Sequence, residues 1–429
     1  MAEPLRVALA GLGTVGGGVV RLLDANRDLI ARRAGRPIEV VAVSARDRAK
    51  DRGFDLARFD WVDDTAALAR HDRVAVVVEL IGGADGPALT LARAAADAGR
   101  HLVTANKAML AHHGLALAAA AEAAGVALKF EAAVAGGVPV VKGLREGAAA
   151  NAIGRVYGIL NGTCNFILSE MEATGRDFAE VLAEAQAKGF AEADPGFDID
   201  GVDAAHKLAI LASLAFGTRP AFDAVEAHGI RHVLGADIAE AAALGHRVRL
   251  IGVAEAGGGL FQRVHPHLVP LDHPLAHVTG ATNAVVAEGD GCGRLLFQGA
   301  GAGDGPTASA VIADLIDIAR GEWGTPFAMP AAALVPADPV DSGERRGRAY
   351  LRFAVADRVG VLAEIAAVMR DAGVSIASLI QREAAGPDGT VLVAIVTHEG
   401  PERAVAAALE RLRGSASLAG QPLWMPILA

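Results

Sequence analysis

Apolar residues recur along the first third of the chain in the rhythm of alternating strands and helices. "LRVALAGLGTVGGGVVRLL" opens with an apolar run and passes through Gly11, Gly13 and Gly16. It continues with Val15, Val19, Val20, Leu22 and Leu23 at helical spacing. The pattern predicts strand, tight turn, helix. A second strand, "IEVVAVS", ends near Ser44, and "VAVVVEL" (74–80) reads as a third. An alanine-rich helix follows at 87–98, and "HLVTANKAML" continues the alternation. Such order predicts an α/β, Rossmann-type doubly wound parallel sheet. One more strand is expected in "VALKFEAAVAGGVPVV", so residues 1–135 are expected to fold as one unit, of the kind that binds nucleotides at its strand ends.

From 136 to 305 the pattern changes. Segments such as "GRVYGILNGTCNFIL" and "RVRLIGVAEAGGGLFQRVHPHLVP" suggest a mixed α+β unit for substrate binding and dimerisation. A helix at 178–188 should end at Lys188, and Pro195 and Gly196 should keep the next stretch out of helix until about Gly201. The helix at 306–322, apolar at Val311, Ile312, Leu315, Ile316 and Ile318, is free to complete the first unit. "PADPVDSGERRGR" (336–348) reads as a linker. Beyond it, 349–429 alternates and then takes helical spacing, giving βαββαβ.

Composition narrows the partners. A net charge of −10, pI near 5.7 and no long basic run speak against nucleic acid. The apolar run "VAVVVELIGG" contains Glu79 and is too short to span a membrane. Two cysteines, Cys164 and Cys292, cannot form a disulfide framework, and no signal-peptide pattern opens the chain, so a reducing cytoplasm is expected.

Six lysines (50, 107, 129, 142, 188 and 207) stand against thirty-four arginines. A guanidinium stays charged, whereas an ammonium can lose its proton when desolvated, so each lysine is a candidate for chemistry. "GFAEADPGFDIDGVDAAHK" (189–207) sets Glu192, Asp194, Asp198, Asp200 and Asp203 ahead of Lys207. Asp203 and Lys207, four apart, share a helical face. On a solvated surface that pair would mean little; here the helix around it is apolar. A hydroxyl beside a nicotinamide yields hydride only as its proton is removed, which an amine of lowered pKa can do while a carboxylate holds the hydroxyl. Lys107, just past Leu102 and Val103 at the crevice of the sheet, and Lys207 are the two amines so positioned. Glu192 or Asp194 could meet a substrate ammonium.

Gly11, Gly13 and Gly16, with Thr14 and Val15 opening a helix, suit a dinucleotide pyrophosphate. After the second strand an NAD-selective site usually carries a carboxylate. Here Ser44, Arg46, Arg48 and Lys50 follow, so NADP is favoured over NAD.

In "GLGTVGGGV", "TANKA", "EAAVAGGVP", "NGTCNFIL", "GFAEADPGFDIDGVDAAHKLAILA" and "GAGAGDGPTASAVIADL" the chain resembles monofunctional homoserine dehydrogenases across its first 325 residues or so. Residues 348–428, with "DRVGVLAEIA", resemble an ACT domain. The resemblance implies interconversion of L-homoserine and L-aspartate 4-semialdehyde. It implies Lys207 as proton donor and acceptor, Asp203 as orienting group, Lys107 between nicotinamide and substrate, and Glu192 at the α-amino group. Asp194, Asp198, Thr163 and Asn165 count as further substrate contacts, and Gly301 as a cofactor contact. A monovalent cation, usually sodium, is implied at the Glu131 carboxylate and the carbonyls of Val134, Gly136 and Val138. The ACT domain implies threonine as effector, with Asp357 and Gly360 as its contacts, and a homodimer or homotetramer. Cys164, Phe166 and "GAGAG" depart from the family's more usual threonine, tyrosine and "GPGAG". The competing readings are a related hydroxy-amino-acid dehydrogenase and a non-catalytic sensor of dinucleotide and amino acid.

Overall fold

The computed structural model describes residues 2–381 and 390–429. Its first sheet is six-stranded and wholly parallel, with Leu5–Ala10 and Val76–Glu79 at the centre. Ile38–Ser44 and Asp60–Trp61 lie to one side, and His101–Thr104 and Leu128–Lys129 to the other. The direction of strand order reverses between the two central strands. Ligands of such sheets bind beyond the carboxyl ends at that point.

There the chain turns at Gly11, whose φ of 100° excludes most side chains; a Cβ would sit 2.6 Å from the Leu80 carbonyl oxygen. The helix Thr14–Ala25 starts directly after this turn. Against it packs Asp304–Arg320, joining Val311, Ile312, Leu315 and Ile318 to the core of the first sheet. The expected long strand near residue 130 is cut to two residues. Glu131 instead enters a short 3₁₀ turn, its N–H held by the Asp314 carboxylate at 2.9 Å.

The second sheet runs in the order Gly293–Ala300, Thr282–Gly289, Ile153–Ile159, His246–Ala256, Leu260–Pro270, Glu226–Ala227. It is antiparallel except for the last pair. Helices Gly162–Thr174 and Val202–Phe216 cover it and carry much of the chemistry described below. The acidic stretch is not free of helix: one turn, Gly196–Ile199, forms because the Asp194 carboxylate accepts the Gly196 N–H at 3.1 Å.

Residues 336–348 are tied down. Leu260 donates to the Asp338 carbonyl at 2.8 Å, and Arg345 binds Glu255 at 2.8 Å and Glu402 at 3.2 Å. The third sheet, Ile376–Gln381, Thr390–Thr397, Ala349–Ala356 and Leu423–Pro426, is antiparallel. Helices Val361–Asp371 and Glu402–Leu412 fill one face. From the other, Tyr350 and Arg352 reach the buried Asp237 at 3.0 and 2.9 Å, on the helix Gly235–Ala243. Residues 382–389 of this unit lie outside the described residues.

Candidate active site

Gly201, left-handed at φ 86°, turns the chain into the helix Val202–Phe216, which is buried along most of its length. Asp203 in its first turn and Lys207 one turn later therefore meet away from water. One carboxylate oxygen of Asp203 accepts from Lys207 Nζ at 2.8 Å and the other faces Lys107 Nζ at 2.8 Å. Lys207 also donates to the Leu160 carbonyl at 2.8 Å. Lys107 reaches the site as the first residue of the helix Lys107–Ala124. That helix is capped by Asn106, whose side-chain oxygen accepts the Met109 N–H at 3.0 Å.

Asn161 completes the constellation. Its side-chain oxygen caps Gly162–Thr174 by accepting the Cys164 N–H at 2.8 Å. Its Nδ2 donates to Asp203 at 2.8 Å and to Asp198 at 2.9 Å. The Thr163 hydroxyl lies 3.2 Å from the second Asp198 oxygen and donates to the Phe190 carbonyl at 2.8 Å.

Burial alone would raise the Asp203 pKa; the ammonium groups of Lys207 and Lys107 outweigh it and hold the carboxyl well below the usual range. Asp198 goes the other way, raised by burial and by Asp203 beside it. For Lys107, burial pulls down, but Asp203 more than compensates, so its pKa lies above the ordinary lysine value. The sequence leaves the Lys107 pKa open; at rest Lys107 is a paired ammonium.

Glu192 and Asp194 are exposed on the loop before the one-turn helix, and the Glu192 charge reaches Lys107. Asn165 does not face the other candidates with its amide nitrogen. Wholly buried, it directs Nδ2 at the carbonyls of Val278, Gly280 and Thr282, at 3.2, 2.9 and 3.4 Å, and so pins that loop. Lys129 and Lys142 are likewise accounted for, converging on Asp317 at 3.1 and 2.6 Å.

Two clefts adjoin the site. One, of about 650 Å³, is bordered by Gly11, Gly13, Ser44, Arg46, Lys50, Thr65, Leu80 and Ile81. Thr14, Val15 and Gly16 form the helix start beside it. The second, of about 420 Å³, is bordered by Gly82, Gly83, Asn106, Lys107, His112, Phe197 and His206. The loop after Glu79 borders both. It is tied back by the buried Glu79 carboxylate, which accepts the N–H groups of Ile81 and Gly82 at 2.7 and 3.1 Å. Gly301 lines neither; it is wedged between Gly136 and Asn283, where a Cβ would meet the Asn283 amide at 2.1 Å.

At the implied cation position Glu131 is buried, and its oxygens accept the Val141 and Lys142 N–H groups at 2.9 and 2.8 Å. Burial and the neighbouring Asp314 push its pKa up to about 7. Val134, Gly136 and Val138 lie in a buried loop that turns through left-handed Ala135 and Gly136. Among the described residues no cluster of three or more His, Cys, Asp or Glu side chains is suited to a metal. One carboxylate with peptide carbonyls is a donor set that fits a hard monovalent ion. Asp357 and Gly360 occupy the exposed turn before Val361–Asp371, with Gly360 left-handed at the helix start.

Sheet order, glycine turn and buried lysine–carboxylate set together define an oxidoreductase built on a dinucleotide-binding fold. The chain belongs to the homoserine dehydrogenase family. Residues 139–316 match the family model described as homoserine dehydrogenase, residues 11–131 its NAD-binding domain and residues 349–414 the ACT domain. Homoserine dehydrogenase of Pseudomonas aeruginosa is 46% identical over 96% of both chains, and that of Corynebacterium glutamicum 43% identical over 95% of this chain and 92% of its own. Among solved structures, a homoserine dehydrogenase from Thiobacillus denitrificans superposes with a TM-score of 0.92 at 41% identity, covering 99% of this chain and 98% of that one. A hyperthermophilic archaeal homoserine dehydrogenase in complex with NADPH has a TM-score of 0.65 at 25% identity over 75% of this chain and 99% of its own.

Asn161, Asn106 and Glu79 were missed in the sequence. Asn161 and Asn106 had a readable signal, a helix-capping residue immediately before a helix. The buried Glu79 inside a strand was another.

Proposed function

We propose that this chain oxidises L-homoserine with NADP as its preferred cofactor, and reduces L-aspartate 4-semialdehyde in reverse, with threonine as effector. The observation that carries the reading is the Asp203 carboxylate held between Lys107 and Lys207 beside the dinucleotide cleft.

A bound nicotinamide dinucleotide supplies hydride transfer at the carbon bearing the substrate oxygen. Lys207, whose side-chain nitrogen is fixed by Leu160 and Asp203, takes the hydroxyl proton as the neutral amine when homoserine is oxidised and returns it from the ammonium in the reverse direction. Asp203 orients that hydroxyl, and Lys107 exchanges its resting partner for the substrate oxygen. Glu192 binds the α-ammonium, with Asp198, Thr163 and Asp194 shaping the same pocket; Asn165 supports it from behind.

The NADP preference is supported by side-chain placement. Arg46 and Lys50 border the ribose end of the cleft with no side-chain partner among the described residues. The nearby Asp47 and Asp63 are occupied by the Ala49 N–H and the Trp61 ring nitrogen, at 2.8 and 2.7 Å. The archaeal relative named above carries NADPH. At the cation position Glu131, with the carbonyls of Val134, Gly136 and Val138, would hold sodium, whose role there is to compensate the buried charge. Threonine would bind at Asp357 and Gly360 and act through the Asp237 contact with Tyr350 and Arg352. A homodimer or homotetramer in the cytoplasm completes the proposal. No helix among the described residues is long and apolar enough to cross a membrane.

The test is the initial rate of nicotinamide reduction with L-homoserine and NADP or NAD, with and without millimolar threonine, in sodium buffer. Homoserine-dependent reduction that is faster with NADP and suppressed by threonine is expected. Reduction indifferent to threonine would remove the effector assignment, and no reduction with either cofactor would favour a sensor.

A further inference from the structure

The helices that deliver Lys107 and Asp203 belong to different sheets, and a catalytic distance between them depends on how they are held. Lys107–Ala124 leaves the parallel sheet, and Val202–Phe216 lies on the mixed one. Two polar contacts cross between them. One is the Lys107–Asp203 ion pair; the other is His206 Nε2 to His112 Nε2, at 3.3 Å, a turn further along both helices. The first cannot be the permanent fastening, because both its members are needed by the substrate.

We infer that His112 and His206 form an imidazole latch that keeps the two helices in register while Lys107 releases Asp203, which makes the histidines positioning residues for the reaction. The inference rests on the roles proposed above for Lys107 and Asp203.

The ring of His206 has little freedom. It stacks on Phe222 with centroids 4.1 Å apart and planes 1° apart, and lies near-parallel to Phe197 at 5.6 Å. His112 meets the same Phe222 edge-on at 4.8 Å. With its plane set, His206 presents Nε2 to His112. Two facing ring nitrogens bond only if one carries a proton and the other does not. Burial, with His112 next in effect, pushes the His206 pKa down to about 4. The charged groups that also reach it are Asp203, which raises it, and Lys107, which lowers it. His206 therefore stays a neutral ring across the neutral range, free to share a proton with the nitrogen that faces it. Both histidines border the 420 Å³ cleft with Lys107, so a slip between the helices moves the lysine head directly.

The experiment is a substitution cycle on the full chain. His206→Leu keeps apolar volume and removes the bond; His112→Leu does so from the exposed side, where folding is least at risk. Each should lower kcat with homoserine about tenfold, the scale of one lost hydrogen bond. KM for NADP should stay as it was. His206→Gln, which can still reach His112, should recover most of the loss. In a Lys107→Ala background, His206→Leu should cost far less than tenfold, since no lysine head remains to be positioned. A full tenfold loss in that background, no rescue by glutamine, or unchanged kcat in both leucine variants would each overturn the latch. Normal turnover of Lys107→Ala alone would instead overturn the role given to Lys107, a separate failure.

Discussion

Lys107 and Lys207 sit far apart in sequence yet bring their ammonium groups to opposite oxygens of the same carboxylate, each 2.8 Å away. Two cations on one buried anion is a charge-rich arrangement in which Asp203 is the shared direct partner, with Asp198 and Glu192 acting on Lys107 from further off. Asp203→Asn should therefore lower kcat by roughly 10²–10⁴, the range for losing acid–base assistance. It should also destabilise the fold by about 3 kcal/mol, because a buried pair that loses one member leaves the other uncompensated. Steady-state kinetics with urea unfolding checks both; near-normal kcat would remove Asp203 from the mechanism.

Glu192 is exposed and carries no structural bond through its carboxylate among the described residues. Glu192→Gln should raise KM for homoserine roughly tenfold, the effect of losing a charge-assisted contact, with thermal stability unchanged. An unaltered KM would move the ammonium site elsewhere on the loop.

Arg46 borders the cleft from the exposed side. Arg46→Ser should weaken NADP binding roughly tenfold and leave NAD unaffected, since a guanidinium is suited to a phosphate and has no counterpart to it on NAD. Fluorescence titration of the two reduced cofactors separates the cases, and equal weakening of both would assign Arg46 to the shared pyrophosphate.

His267 is buried on the strand Leu260–Pro270, its Nδ1 2.8 Å from the His265 carbonyl. Burial pushes its pKa down to about 3, with Arg263, Arg345 and Arg155 adding to the fall against the His265 carbonyl. Below the ordinary value of 6.5 the unfolded chain takes up a proton that the folded chain refuses, so stability is lost as pH falls from 6.5 towards 3. Between pH 7 and 5 this one group removes about 2 kcal/mol. His267→Gln should be the less stable protein at pH 7, and its deficit should shrink by that amount at pH 5. A constant difference between the two would mean that His267 is protonated in the fold.

The fold class was legible because it depends on local periodicity: the strand, glycine turn and helix from Leu5 to Ala25, and the alternation that follows, are written in adjacent residues. Asp203 and Lys207 could be paired for the same reason, a spacing of four on an apolar helix. What was not legible depends on segments that converge. The strand near residue 130 stops early because Glu131 is claimed by Asp314, Val141 and Lys142. Asn165 looks like its neighbour Thr163 in sequence, yet its nitrogen serves a loop more than a hundred residues away. Gly301 enters as a cofactor contact by resemblance alone, and nothing in its neighbourhood in sequence announces that its missing side chain makes room for Asn283. The raised pKa of Lys107 follows from Asp203, and no local pattern around residue 107 announces that partner.

The outer face of the third sheet does more than touch the rest of the molecule. Tyr350, Ala394, Val396 and Met425 belong to the same apolar core as Leu208, Leu211 and Val264, and Asp237 is bonded across the junction. A core shared in this way has no seam at which to part, so the regulatory sheet and the catalytic body should melt together in calorimetry as one cooperative unit. A ligand that bound that sheet would thereby change the stability of the catalytic body itself.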